Sequence, residues 1–134
     1  MGKRGKATLP SGGTMELPTI LVIEDDAGIR EMLEEALTEE GYTVEAASDG
    51  LDALQRLEAL SPSLIMLDVV MPYVDGVTFI RNFHDLQTDV PVLIMSASVN
   101  AREVAEECGA DAYLDKPFDI HEMLSLVSSL IHER

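Results

Sequence analysis

A chain of 134 residues with 46% apolar side chains has the size of one domain and the apolar content of a globular protein, which excludes a wholly disordered chain. Every acid lies at or after Glu16, and from Met15 onward six basic residues face 25 acids, a surface that repels phosphate backbones and argues against direct nucleic-acid binding. A single cysteine, Cys108, excludes an internal disulfide and suits a reducing cytoplasm, no apolar run approaches the ~18 residues of a membrane helix, and Lys3, Arg4 and Lys6 lack the following apolar segment of a secretory signal.

Residues 1–17, rich in Gly, Ser, Pro, Thr and Lys and without apolar period, read as a flexible tail, and 18–134 as the folded domain. Ile20-Leu21-Val22-Ile23 is a buried strand that ends in Glu24-Asp25-Asp26. Ile29, Met32, Leu33, Ala36 and Leu37 then form one helical stripe, with Asp26 placed as N-cap and Gly41 as the stop. Tyr42 to Ala46 alternates, as a half-exposed strand does. Asp49-Gly50 opens a second helix with Ala53, Leu54, Leu57 and Leu60 inward, broken by Ser61-Pro62.

Leu64-Ile65-Met66-Leu67 is an unbroken apolar run, the pattern of a strand buried on both faces, and it leads straight into Asp68. Asp75-Gly76 starts a third helix with Phe79, Ile80 and Phe83 inward. Pro91 introduces a second fully apolar strand, Val92 to Met95, ending at Ser96. Asn100 and Glu103 form a capping box for a fourth helix carrying Ala101, Val104, Ala105 and Cys108, stopped by Gly109. Ala112-Tyr113-Leu114 is a short strand before Asp115-Lys116-Pro117. A final helix follows Asp119, with Ile120, Met123, Leu124, Val127, Leu130 and Ile131 inward.

Strict alternation of strand and helix predicts an α/β fold: a five-stranded parallel sheet flanked by five helices. The apolar first, third and fourth strands belong in the centre, and the alternating second and short fifth strands at the edges. The order 2-1-3-4-5 meets these demands with right-handed crossovers.

That order lines up the carboxyl ends of strands one, three, four and five on one rim, where open α/β sheets bind ligands. The rim carries Glu24, Asp25 and Asp26, then Asp68, Ser96 and Lys116, the only lysine beyond position 6. A carboxylate at the end of a core strand is costly to desolvate unless paired. Converging carboxylates raise one another's pKa. Mg²⁺ relieves the repulsion by binding a few carboxylates together with water and phosphate oxygens. Carboxylate nucleophile, Mg²⁺, hydroxyl and ammonium together describe a site that accepts a phosphoryl group on Asp68. Asp26 fits a helix cap better than a ligand. Met66, Met71 and Met95 read as packing, Cys108 as a small core residue, and His84, His121 and His132 have no metal-ligand spacing.

With these residues in place, the chain resembles the receiver domain of two-component response regulators over roughly residues 18 to 134. The motifs ILVIEDD, LIMLDVVMPYVDG, VLIMSAS and AYLDKPF occur in order and at family-like spacing. The resemblance implies a flavodoxin-like fold, Asp68 as phosphoacceptor, and Mg²⁺ held by Asp25 directly, by Glu24 largely through water, by Asp68 and by the Val70 backbone carbonyl. It implies Ser96 and Lys116 on the phosphoryl group, Tyr113 as the aromatic switch partner, and a cis Lys116–Pro117 bond. The implied partners are a histidine kinase or histidine phosphotransfer protein and a downstream protein target, with neither nucleic acid nor membrane contacted directly and a cytoplasmic location. Glu24 stands where Asp is commoner, Ser96 where Thr is commoner, and Leu126 where the DNA-binding subclass carries a basic residue. No output segment follows the final helix, which leaves open a stand-alone receiver or a piece of a longer regulator.

Other functions fit less well. An aspartyl-phosphate hydrolase of the haloacid dehalogenase class needs an acid two residues after its nucleophile, where this chain has Val70. An unphosphorylated pseudo-receiver would not need the full acid set and Lys116. A nucleotide-binding domain would carry G-x-G-x-x-G or G-x-x-x-x-G-K-[ST], and neither is present.

Overall fold

The computed structural model describes residues 17–68, 89–97 and 101–132. In chain order these form β1 (Thr19–Ile23), α1 (Ala27–Glu39), β2 (Thr43–Ala47), α2 (Gly50–Leu57), β3 (Leu64–Asp68), β4 (Val92–Ser96), α3 (Ala101–Cys108), β5 (Ala112–Asp115) and α4 (Ile120–His132). The helix expected after Asp75 and the Asn100 cap lie outside the described residues, as does nearly all of the expected tail.

Every strand pair is parallel, and the sheet order is β2-β1-β3-β4-β5, the 2-1-3-4-5 order that the apolar patterns predict. β1, β3 and β4 are sealed between neighbours and helices, and all five residues of β3 and of β4 are buried. The period of two sorts each central strand onto two cores. Ile20, Val22, Leu64, Met66, Leu93 and Met95 pack with Leu33 and Leu37 of α1 and Met123 and Val127 of α4. Leu21, Ile23, Ile65, Leu67, Val92 and Ile94 pack on the other face with Ala53 and Leu57 of α2 and Ala105 of α3. Each large side chain so buried contributes roughly 1.5–3 kcal/mol relative to exposure.

The helix ends follow the capping chemistry of the sequence. The Asp26 carboxylate accepts the Ile29 N–H at 2.9 Å, and the Asp49 carboxylate accepts the Asp52 N–H at 2.8 Å. Gly41, at φ +98°, closes α1: its N–H donates to the Thr38 carbonyl at 3.0 Å, and the Tyr42 N–H donates to the Leu37 carbonyl at 3.2 Å. This paired return needs a left-handed residue, which glycine adopts without steric cost. Gly109, at φ +75°, ends α3 in the same way. The Lys116–Pro117 peptide bond is cis. Because all strands run parallel, the carboxyl ends of β1, β3, β4 and β5 lie along one rim.

Candidate functional site

Three consecutive acids leave β1 and take three different environments. The Glu24 N–H still donates to the Ala47 carbonyl at 3.0 Å, so this residue is held at the strand end and its side chain is fully buried. Glu24 Oε2 accepts the Asp26 N–H at 3.2 Å, and Oε1 accepts from Lys116 Nζ at 2.7 Å. Asp25 is exposed at the surface of the rim. Asp26 turns its carboxylate to the α1 N-terminus, as its position predicts, and is not among the acids that converge. Those acids are Glu24, Asp25 and Asp68, each offering one carboxylate oxygen within 4.8 Å of the others.

Asp68 ends β3 and is 5% exposed. Its register partner on β4 is Met95, which places Ser96 one step further along the neighbouring strand. Ser96 is fully buried, and its carbonyl accepts the Lys116 backbone N–H at 2.8 Å. That bond carries the chain from β5 back over the rim, and Lys116 Nζ reaches Asp68 Oδ2 at 3.3 Å. Tyr113 lies on the edge strand β5, 39% exposed and in register with Ile94. Val70 lies outside the described residues. Of the residues singled out from sequence, Glu24, Asp25, Asp68 and Lys116 thus form one group, Ser96 adjoins it through its backbone bond to Lys116, and Tyr113 faces outward on β5.

Burial pushes the Glu24 carboxyl up to about 7, with the Asp68 charge adding to it, while the Lys116 bond and the Asp26 N–H restrain the rise. Repulsion among carboxylates, the cause suggested by the sequence, is thus the smaller influence. Burial is also the largest single influence on Lys116 and pulls its ammonium down, but Glu24 and Asp68 together outweigh it and leave the pKa raised. The group therefore combines hard oxygen donors, which suit an oxygen-seeking dication, with an ammonium beside a strand-end carboxylate.

Sequence patterns did not single out Arg30. Its Nη1 donates to the Glu24 carbonyl at 2.8 Å and to the Asp25 carbonyl at 3.4 Å. The available signal was its place as the only basic residue between Lys6 and Arg56, four positions after three acids. Beside Lys116 lies an open, mainly apolar cleft of about 370 Å³, lined by Ile29, Met32, Ala97, Lys116, Pro117 and Phe118. Among the described residues no helix is long and apolar enough to cross a membrane.

The family model for the response regulator receiver domain matches residues 20–128. The chain belongs to that family. Response regulator MprA of Mycobacterium ulcerans is 40% identical to this receiver domain over 114 residues, which is 84% of this chain and 49% of MprA. The receiver domain thus spans about half the length of the curated relatives it matches. Among solved structures, the receiver domain of a Francisella response regulator is 33% identical with a TM-score of 0.79, covering 87% of this chain and 98% of that one. Response regulator TrrA of Thermotoga maritima, solved in complex with Mg²⁺-BeF, is 31% identical with a TM-score of 0.78, covering 85% of this chain and 99% of that one. The molecule is therefore a signalling receiver domain with an acidic pocket compatible with Mg²⁺. The hydrolase and pseudo-receiver readings are not favoured.

Proposed function

We propose that this receiver domain, taken as residues 18–134 behind an N-terminal tail, accepts a phosphoryl group on Asp68 and passes the signal to a protein target. The observation that carries this is the convergence of Glu24, Asp25 and Asp68 within 4.8 Å, with Lys116 Nζ 3.3 Å from Asp68. An Asp68 carboxylate oxygen attacks the phosphorus of a phosphohistidine on a histidine kinase or histidine phosphotransfer protein. The O–P bond forms, the P–N bond breaks, and the imidazole nitrogen leaves with the bonding pair. Water later cleaves the acyl phosphate to inorganic phosphate and restores the carboxylate, so the domain assists its own turnover without acting on a separate substrate.

Lys116 and Ser96 supply the donors for the phosphoryl oxygens. Glu24, Asp25 and Asp68 are oxygen donors that fit Mg²⁺, and the Val70 carbonyl would complete the set. When bound, that ion neutralises charge on the transferring group. The single cysteine supports a reducing, cytoplasmic setting, and the acidic surface supports protein partners over nucleic acid. Incubation with acetyl phosphate and Mg²⁺, read by intact mass, tests the assignment. The wild-type chain gains one phosphoryl group and Asp68→Asn gains none. A mass gain that persists in Asp68→Asn overturns it.

A further inference from the structure

We infer that Arg30 is a positioning residue for the metal-binding acids, its guanidinium holding the backbone of Glu24 and Asp25 in the conformation that presents both carboxylates to the rim. This role rests on the assignment of the rim as a Mg²⁺ and phosphoryl site.

Arg30 sits in the first turn of α1, where its own N–H donates to the Asp26 carbonyl at 2.9 Å. The side chain then folds back over the loop, and Nη1 meets the carbonyls of Glu24 at 2.8 Å and Asp25 at 3.4 Å. A guanidinium beside three acids ordinarily takes a carboxylate with its fork. Here, among the described residues, Arg30 pairs with no carboxylate, and both of its side-chain bonds go to peptide oxygens. Those carbonyls precede the N-cap and have no helical partner of their own. Because the peptide unit is planar, fixing each carbonyl also fixes the departure of the next residue. The same turn is also held by the Asp26 N–H, which donates to Glu24 Oε2 at 3.2 Å. The turn is therefore held by separate side-chain and backbone bonds, and the carboxylates of Asp25 and Glu24 converge with that of Asp68.

Charge and clamp predict opposite signs. A guanidinium beside a dication site repels the ion, so loss of Arg30 would tighten Mg²⁺ if charge were its whole contribution. Loss of the clamp loosens the acid pair and weakens Mg²⁺, by about 10-fold on the scale of residues that orient metal ligands. Arg30→Met keeps the apolar stem and removes the donors. Arg30→Lys keeps the charge but has a flexible point donor in place of the fork.

Calorimetric titration of Mg²⁺ into the wild-type chain, Arg30→Met and Arg30→Lys reads the sign directly, with circular dichroism confirming that each is folded. The expected result is weaker binding in Arg30→Met by about 10-fold, with Arg30→Lys between it and wild type. In the acetyl phosphate reaction, the Mg²⁺ concentration for half-maximal phosphorylation of Arg30→Met rises by a larger factor than the rate at saturating Mg²⁺ falls. Unchanged or tighter binding in Arg30→Met overturns the clamp and leaves the phosphoacceptor assignment standing. Failure of the wild-type chain to bind Mg²⁺ overturns both. If Arg30→Met does not fold, Arg30→Gln, which keeps one amide donor and no charge, decides by the same sign.

Discussion

Glu24 is fully withdrawn from water yet carries a carboxyl whose neighbours are an ammonium, a backbone N–H and a second carboxylate. With burial as the main cause, its pKa stands near 7 in the folded chain against an ordinary 4.5. The folded state thus holds this proton more tightly than the unfolded chain, so its contribution to stability falls as pH rises from 4.5 to about 7. In metal-free buffer the urea midpoint of the wild type should therefore drop between about pH 5 and about pH 8 relative to that of Glu24→Gln, which has no proton to lose. Parallel midpoint curves for the two proteins would refute this. The Lys116 shift acts elsewhere: its raised pKa contributes stability below the ordinary lysine range that is lost only above it. The three adjacent acids also differ in their expected effect on metal. Asp25 converges on the rim and Asp26 caps α1, so Mg²⁺ affinity should fall further in Asp25→Asn than in Asp26→Asn. Calorimetry giving equal losses would show that the cap and ligand roles are not separated.

At the scale of the element, α1 links site and core. Its apolar stripe of Ile29, Met32, Leu33, Ala36 and Leu37 packs on the sheet beneath the rim. Its N-terminus begins where the converging acids Glu24 and Asp25 end, and the Asp26 bond to the Ile29 N–H fixes that junction. Asp26→Ala should lower stability by about 1 kcal/mol, the usual effect of losing an N-cap, measured as a shift in urea midpoint. A Cβ on Gly28 would meet Asp26 Oδ1 at 3.3 Å, closer than most such contacts, so the first turn of α1 already lies tight against its cap.

At the scale of the whole molecule, the proposed phosphorylation requires that a change at Asp68 reach an outer surface. β4 and β5 are the path with defined register: Ile94 opposite Tyr113, and Ser96 opposite Asp115. An acyl phosphate on Asp68 adds about one negative charge and new acceptor oxygens. In the proposed switch, Ser96 would move to meet them, and Tyr113, 39% exposed on β5, would turn into the space beside β4. The phosphoryl group shifts this equilibrium only by its differential interaction with the two states. Ser96→Ala should therefore still take up phosphate on Asp68 while losing most of the shift at Tyr113, α3 and α4. NMR with beryllofluoride, comparing the mutant with wild type, checks this. A full wild-type shift in Ser96→Ala would remove the hydroxyl from the pathway.

Strand and helix periodicities assign each described element from neighbours within four positions, and fully apolar strands must lie inside the sheet, so the order 2-1-3-4-5 was legible in the sequence. The rim followed, because strand ends of a parallel sheet share one side. The cap at Asp26 was legible too, since capping is local. Tertiary structure alone decided that Lys116, 92 positions away, bonds Glu24 at 2.7 Å, closer than its 3.3 Å contact with Asp68. It alone decided that burial, ahead of carboxylate repulsion, raises the Glu24 pKa, and that Arg30 grips two carbonyls amid three acids. Local patterns specify which face a side chain takes; which partner a flexible side chain meets depends on the paths of loops whose ends are brought together only when the sheet closes.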